Sequence, residues 1–234
     1  MNALLAQLDK HHLVVELLTK CNFPPSGTKI SCAVSGGKDS MALLILGVAA
    51  GCEVTALHID HSLRVGSENE AVVVEKLATQ LGAPFISKTI RVEPGTNLEA
   101  RARTTRFEAM PEDVMTGHTA DDQAETVLIN LLRGAGLAGL AGMQRNQRHP
   151  ILALRRSETH RLCDELQIQT IEDPSNTDTK FQRNRIRHEL IPLMDAISQR
   201  DLVQLLFLKQ FELNRAQTLR LALEQLGLKQ CLRM

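Results

Sequence analysis

Residues 29–50 read KISCAVSGGKDSMALLILGVAA, and they carry the clearest indication of the fold class. The run 29–34 is short and apolar, which is typical of a buried strand, whereas 41–50 has the length and composition of a helix. Two adjacent glycines, Gly36 and Gly37, stand between them and let the backbone turn tightly. The order strand, glycine turn, helix predicts the first unit of a parallel α/β sheet.

The same alternation continues along the chain. We predict further strands at 54–59, 85–90, 114–116 and 151–154, with helices between them, one of which covers 97–110. Strands that alternate with helices imply right-handed crossovers, so the predicted fold class is α/β with a doubly wound, mostly parallel sheet. Beyond residue 173 the pattern is helical only. We therefore predict an α/β domain over 1–172 and a helical tail or small helical subdomain over 173–234.

Length and composition exclude several classes of protein. The chain has 234 residues, and its 27 Lys and Arg balance its 27 Asp and Glu, which argues against a globally basic nucleic-acid coat. The five cysteines are odd in number and form no CxxC pair, so a disulfide framework and a zinc ribbon are disfavoured. We see no secretory signal and no membrane-spanning run, and we expect a cytoplasmic protein without a membrane partner.

The glycine turn carries the residues of an anion site. In an open parallel sheet, ligands bind where strands end and helices begin. The helix that follows the turn presents unpaired N–H groups and the positive end of its dipole, and Lys38 adds charge. Asp39 would repel a phosphate unless a cation lay between them, so its position suggests Mg²⁺. A Walker loop is excluded, because its spacing would require Gly where Cys32 stands.

A second glycine-rich segment, GAGLAG at 134–139, has the spacing of a dinucleotide-binding loop. It follows a predicted helix instead of a strand, so the structural context that this motif requires is missing. NAD binding is therefore rejected, and we interpret the segment as a flexible loop at the end of a helix.

The segment HTADDQAET at 118–126 follows the fourth predicted strand and places carboxylates at the start of a helix. Asp121 and Glu125 are one turn apart on one face of that helix. Acidic residues at a helix start often only complement the helix dipole. Here they lie with His118 at the edge where we expect the ligand, so we interpret Asp121, Asp122 and Glu125 as groups that bind Mg²⁺ or orient a cationic amine.

The segment HIDH at 58–61 ends the second predicted strand at the same edge. Its histidines and aspartate are possible zinc ligands, but a convincing third ligand is missing. We therefore interpret His58 as a hydrogen-bonding residue at the mouth of a nucleotide site.

Positive charge is concentrated in three segments, 101–106, 145–161 and 180–187. A neutral protein with basic clusters around its ligand-binding edge is suited to a polyanion that it holds through phosphate contacts. The alternative for each cluster is a solvated helix face.

Several motifs together resemble a known family. The segments that carry the resemblance are SGGKDS at 35–40, HIDH at 58–61, NLEA at 97–100, GHTADDQAET at 117–126, DPSN at 173–176 and RNRIR at 183–187. In order and spacing they resemble the tRNA(Ile)-lysidine synthases, members of the PP-loop superfamily of N-type ATP pyrophosphatases. The loop at 35–40 indicates only the superfamily, whereas the later segments are more specific. The fold that this resemblance implies is adenine nucleotide α hydrolase-like.

The resemblance implies a ligase with ATP and Mg²⁺ as cofactors. Such enzymes adenylate the 2-carbonyl oxygen of the wobble cytidine in the CAU-anticodon tRNA(Ile). Free L-lysine then attacks that carbon, and lysidine, AMP and diphosphate result.

The site residues that we predict from the motifs and the resemblance fall into four groups. Those for ATP are Ser35, Gly36, Gly37, Lys38, Asp39, Ser40 and His58. Those for catalysis are Asp39, His118, Asp121, Asp122 and Glu125. Those for tRNA are Arg103, Arg106, Arg155, Arg183 and Arg185, and the Mg²⁺ ligands are Asp39 and Asp121.

Two other functions stay open at this point. One is a different tRNA-modifying or adenylating enzyme of the superfamily, such as a tRNA thiolase, which would need suitable cysteines. The other is a degenerate nucleotide- or RNA-binding module. This sequence also departs from the family, because His149 stands where Arg is usual and because many members carry C-terminal tRNA-binding domains. Selection of tRNA(Ile) over tRNA(Met) would then rest on the helical tail, on a homodimer, or on sequence beyond Met234.

Overall fold

The structure is a computed structural model and describes residues 3–60, 68–90, 105, 109–140, 142–144, 146–172, 178–198, 201 and 203. The chain divides into two compact units. The first, the α/β unit, comprises 1–119 and 146–173, and the second, the helical unit, comprises 120–145 and 174–234. The predicted boundary between two domains at residue 172 stays a prediction.

The elements are numbered in chain order. The strands are β1 (Lys29–Ala33), β2 (Glu53–Asp60), β3 (Phe85–Thr89) and β4 (Met115–Thr116). The helices are α1 (Ala3–Leu8), α2 (His12–Leu18), α3 (Lys38–Ala49), α4 (Glu68–Leu81), α5 (Ala120–Leu132), α6 (Leu137–Leu140), α7 (Arg156–Glu165), α8 (Gln182–Arg185) and α9 (Ile191–Ser198). A π-helix, Ile186–Leu190, joins α8 to α9.

The sheet of the α/β unit is parallel throughout and has the strand order β3-β2-β1-β4, which confirms the predicted fold class. The chain steps outward from β1 to β3 and then returns to the other side of β1 as β4. Such a reversal creates a crevice between the two strands at their carboxyl ends, where ligands bind. Ala33 pairs with Thr116 in the register, so the loops after β1 and β4 start side by side.

Helix α3 forms the centre of the core. Each residue from Met41 to Leu46 is fully buried, because α3 packs against the sheet and against α2, α4 and α7. A helix that is covered on all sides needs no polar face. This explains why the run MALLILGVA lacks the helical periodicity of an amphipathic helix.

The predicted strand at 151–154 is wrong. These residues form consecutive turns, in which the N–H of Leu152 donates to His149 O and that of Leu154 donates to Ile151 O. Ile151, Leu152 and Leu154 are nevertheless fully buried. The apolar run therefore indicates burial. A short apolar run alone does not show whether a buried segment is a strand.

Three cysteines of the described residues lie in the interior. Cys32, Cys52 and Cys163 are buried thiols, as small apolar residues of a core would be.

The predicted helix at 97–110 lies mostly outside the described residues. Within the part of the chain that the structure describes, no helix is both long and apolar enough to cross a membrane.

Candidate functional site

The loop after β1 has the geometry of an anion site. Gly37 is the N-cap of α3, and as a glycine it has no side chain to cap the first N–H groups of this helix. The hydroxyl of Ser40 donates to Gly37 O at 2.8 Å and accepts from the Ser35 N–H at 3.1 Å, which closes the loop over one turn. The loop thus presents backbone N–H groups and a positive helix end at the crevice between β1 and β4.

Two glycines of this region are required by close contacts. Gly36 has a φ of +91°, and a Cβ there would collide with the side chain of Ile171. Gly117 follows β4, and a Cβ there would lie 2.8 Å from Asp39 O and 3.0 Å from Ser40 Cα. The loop after β4 therefore touches the backbone at the start of α3, and a side chain at residue 117 would separate them.

We expect Gly117→Ala to weaken nucleotide binding and to destabilise the α/β unit by about 1–3 kcal/mol, as overpacking does in a dense interior. The measurements are urea unfolding and a nucleotide titration. Gly136→Ala is the control, because a Cβ at Gly136 meets nothing within 4 Å. Equal stability of both variants would contradict the contact between the two loops.

Helix α7 supplies partners for the two charged residues of the loop. Lys38 Nζ lies 2.7 Å from Asp164 Oδ1, and this hydrogen bond raises the pKa of Lys38. The Thr159 hydroxyl donates to Asp39 Oδ1, and Arg156 Nε lies 3.4 Å from Asp39 Oδ2. These partners stand 117–126 residues further along the chain, and no local sequence pattern indicates them.

Asp39 is suited to a divalent cation. Its carboxylate lies beside a loop with phosphate-binding geometry, and Mg²⁺ prefers such oxygen ligands. His160 Nε2 lies 3.9 Å from Asp39 Oδ1, and burial lowers the pKa of His160, so a neutral ring faces the carboxylate at neutral pH. Arg156, a cation, also lies within 4.0 Å of this carboxylate. Asp121, the other predicted Mg²⁺ ligand, is half-buried in the first turn of α5, and its role stays a prediction.

His58 offers a buried acceptor. The side chain is 1% exposed, and its Nδ1 lies 2.8 Å from Val34 O, to which it can only donate. Nε2 of the neutral ring is then a hydrogen-bond acceptor, and it has no partner among the described residues. A buried acceptor next to the loop fits a donor from a ligand, and binding of ATP by His58 stays a prediction.

His118 lies in a small polar cluster after β4. The Thr116 hydroxyl is 2.7 Å from His118 Nδ1 and 2.8 Å from His149 Nδ1, and the two rings meet edge to face. Burial, followed by the charges of His118 and Arg148, lowers the pKa of His149 to about 4. His149 is therefore neutral at pH 7. His149, which stands where the family usually has arginine, thus contacts the predicted catalytic residue His118.

The low pKa of His149 predicts a pH dependence of stability. The folded pKa of about 4 lies below the ordinary histidine pKa of 6.5, so the unfolded chain binds more protons between these two pH values. Folding stability contributed by His149 is therefore lost as the pH falls from about 6.5 to about 4. We expect the urea midpoint of His149→Gln to fall less than that of the wild type between pH 7.5 and pH 4.5. An equal fall in both proteins would contradict the low pKa.

The helical unit contains a compact ionic cluster. Glu125 on α5 is fully buried, and Asp122 precedes it by one turn. Arg183 Nε lies 2.6 Å from Glu125 Oε2, and its Nη2 lies 3.1 Å from Asp122 Oδ1. Arg187 Nε lies 2.7 Å from Glu125 Oε1. Both carboxylate oxygens of Glu125 thus bind guanidinium groups, and the four side chains balance in charge.

Of these four side chains, only Arg187 is absent from the predicted site residues, although it lies in the predicted basic segment 180–187. Arg183 and Arg187 are four residues apart, which places them on one helix face, and this spacing could have found the second arginine. Arg187 belongs to the π-helix, a type of segment that is frequent at functional sites.

The other arginines predicted to bind tRNA have different surroundings. Arg155 is the N-cap of α7, where its N–H donates to Glu158 Oε2 at 2.7 Å. Arg185 is exposed and forms an ion pair with Glu189 at 3.0 Å. Arg103 and Arg106 lie outside the described residues.

Curated relatives share much of this sequence. The chain is 38% identical over 186 residues to a tRNA(Ile)-lysidine synthase of Nocardia farcinica, with 75% of this chain and 58% of the relative covered. It is 40% identical over 178 residues to that of Rhodococcus erythropolis, with 72% and 55% covered. It is also 40% identical over 186 residues to that of Solibacter usitatus, with 73% and 42% covered. The chain spans about half the length of the curated relatives that it matches.

Fold comparison and a family model complete the assignment. A U34-tRNA thiolase from Methanococcus maripaludis, solved with its iron–sulfur cluster, has a TM-score of 0.67 with 13% identity, covering 87% of this chain and 78% of the thiolase. At this identity the likeness concerns the fold alone. The model of the PP-loop domain, an ATP-binding family, matches residues 10–194. Because this match includes the loop at 35–40 and the whole parallel sheet, the chain belongs to the PP-loop domain family.

Proposed function

We propose that this chain is an ATP-dependent ligase that joins free L-lysine to the wobble cytidine of CAU-anticodon tRNA(Ile). The products are lysidine, AMP and diphosphate. The observation that carries the proposal is the 38–40% identity to tRNA(Ile)-lysidine synthases over a stretch that includes the loop and the segments after it. We further propose that the reaction takes place in the cytoplasm.

The first step activates the cytosine. Oxide is a poor leaving group, so the carbonyl oxygen at C2 attacks the α-phosphate of ATP and diphosphate leaves. We assign the loop from Ser35 to Ser40 to the diphosphate, because its N–H groups and helix end bind anions. The Lys38 ammonium adds a positive charge. It binds Asp164 in the structure, so a bound phosphate would compete with Asp164 for it. His58 supplies its buried Nε2 acceptor to a donor group of ATP.

Asp39 would hold Mg²⁺, and we assign Asp121 as a further ligand. When bound, Mg²⁺ neutralises the charge that develops on the diphosphate. Asp39 contributes its negative charge at the first turn of α3, where the Thr159 hydroxyl holds one of its oxygens.

The second step needs an amine without its extra proton. The lysine side chain is an ammonium at neutral pH, and an ammonium is not a nucleophile. We assign Asp121 and Asp122 to orienting this group, and His118 to accepting its proton. Glu125 already binds Arg183 and Arg187 with both oxygens, so we assign it the role of holding these two arginines.

The arginines Arg103, Arg106, Arg155, Arg183 and Arg185 are our candidates for phosphate and base contacts with the tRNA. A homodimer is part of the proposal as a source of additional tRNA contacts, and sedimentation with and without tRNA tests it. The two units supply different residues in this scheme. The loop at 35–40 belongs to the α/β unit, and the cluster of Asp122 and Glu125 belongs to the helical unit.

Sulfur transfer, the reaction of the similarly folded thiolase, is less well supported. It needs a reactive thiolate, and burial raises the pKa of Cys32, of Cys52 and of Cys163, the last to about 12. Among the described residues these buried thiols are poor nucleophiles.

The test is transfer of radiolabelled lysine to a CAU-anticodon tRNA(Ile) transcript in the presence of ATP and Mg²⁺. The tRNA(Met) with the same anticodon serves as the comparison, and AMP release is followed in parallel. We expect label on tRNA(Ile) and AMP release that requires both lysine and tRNA. Label on both tRNAs would mean that this chain performs the chemistry without the selection. A folded, ATP-binding chain that labels neither would contradict the ligase.

A further inference from the structure

We propose that Thr159 is a positioning residue for Asp39, and that its hydroxyl sets the orientation in which the Asp39 carboxylate holds a divalent cation. This inference rests on the proposed function, because it takes the loop at 35–40 as the site of MgATP. It concerns one pair of side chains in the α/β unit, Thr159 on α7 and Asp39 on α3.

The contact is direct and the donor is rigidly held. Thr159 is fully buried, and α7 packs closely along α3. The Thr159 hydroxyl also lies 2.9 Å from Arg156 O, but it has one hydrogen to donate. A hydrogen bond to a carboxylate is stronger than one to a neutral carbonyl, so Asp39 Oδ1 receives it.

A neutral donor suits a cation ligand. A lysine or an arginine at this place would fix Asp39 but would also cancel its charge, and would then compete with the cation. The hydroxyl fixes the rotamer and leaves the negative charge in place. Hydrogen-bonding partners of this type are known to orient metal-binding carboxylates, and their loss weakens metal binding about 10- to 100-fold.

Arg156 is a poorer candidate for the same task. Its Nε lies 3.4 Å from Asp39 Oδ2. Arg156 is a cation, so it competes with Mg²⁺ for the carboxylate. Removal of the two side chains should therefore have opposite effects. Loss of the Thr159 hydroxyl should weaken the Mg²⁺-dependent part of binding, whereas loss of Arg156 should not.

The experiment compares nucleotide binding with and without the cation. Calorimetry measures binding of α,β-methylene ATP, which resists cleavage between its α- and β-phosphates, in Mg²⁺ and again in EDTA. Thr159→Val keeps the shape of the side chain and removes the hydroxyl, whereas Thr159→Ser keeps the hydroxyl. Thr19→Val is the control, because the exposed Thr19 hydroxyl donates to Glu16 O, three residues earlier, and not to Asp39.

We expect Thr159→Val to weaken binding in Mg²⁺ by about tenfold or more, and to change binding in EDTA by less than about twofold. Thr159→Ser and Thr19→Val should bind as the wild type does. Thermal unfolding checks that each variant is folded. Should Thr159→Val fail to fold, Thr159→Cys replaces it, with the same direction of effect because a thiol is a weak donor.

Two results would overturn the role of Thr159: wild-type affinity of Thr159→Val in Mg²⁺, or an equal loss in Mg²⁺ and in EDTA, which indicates a merely structural hydroxyl. Failure of the proposed function has a different signature. A wild-type chain without Mg²⁺-dependent binding overturns both ideas. A wild-type chain that binds MgATP and transfers no lysine contradicts the ligase, while the calorimetry still decides the role of Thr159.

Discussion

An Asp39→Asn variant is expected to lose about a thousandfold in the rate of tRNA- and lysine-dependent AMP release, which corresponds to about 4 kcal/mol of transition-state stabilisation. The substitution keeps the shape of the side chain and removes the negative charge next to the loop. The Thr159 hydroxyl can still donate to the amide oxygen, so the packing of α7 on α3 should persist. The rate is measured under single-turnover conditions with saturating ATP.

Glu165→Gln is the control for this variant. Glu165 is on the same helix as Thr159, but the contacts described for its carboxylate are with Arg161, His11 and His12 and not with the loop. We expect its AMP release to stay within about twofold of the wild type, because surface ion pairs contribute little. An Asp39→Asn chain with more than about a tenth of the wild-type rate would contradict the large contribution expected of this carboxylate.

The fold could be predicted from the sequence because its signals are local. The glycine turn at 35–37 and the apolar runs before and after it determine β1 and α3, and the alternation that follows determines a parallel sheet. The strand prediction for 151–154 was wrong because these apolar residues are buried in turns and do not pair with a strand.

The candidate site could be predicted only in part. Motifs on a single element, such as the carboxylates of α5, are visible as spacings in the sequence. The contacts of Asp39 with Thr159 and of Lys38 with Asp164 depend on how α7 packs against α3, and no periodicity encodes such a pairing. The same holds for His149, whose low pKa comes from burial beside His118 and not from its sequence neighbours alone.

A Glu125→Gln variant is expected to destabilise the helical unit by about 2–4 kcal/mol, because it removes one partner of a buried ion cluster. Glu125 is 0% exposed and its two oxygens bind Arg183 and Arg187. The amide keeps one acceptor oxygen and turns the other position into a donor, which then faces a guanidinium donor. Two arginines also lose the charge that balanced them. Urea unfolding measures the change.

The exposed pair of Arg185 and Glu189 in the same unit provides the comparison. Their side chains are 63% and 49% exposed, so solvent screens the pair, and Glu189→Gln should cost less than about 1 kcal/mol. Adding Arg187→Met to Glu125→Gln should recover part of the lost stability, since the double variant removes both a donor and the charge that it left unbalanced. Equal effects of Glu125→Gln and Glu189→Gln would mean that the buried cluster does not hold α5 against the helices that follow, and would contradict the role assigned to Glu125.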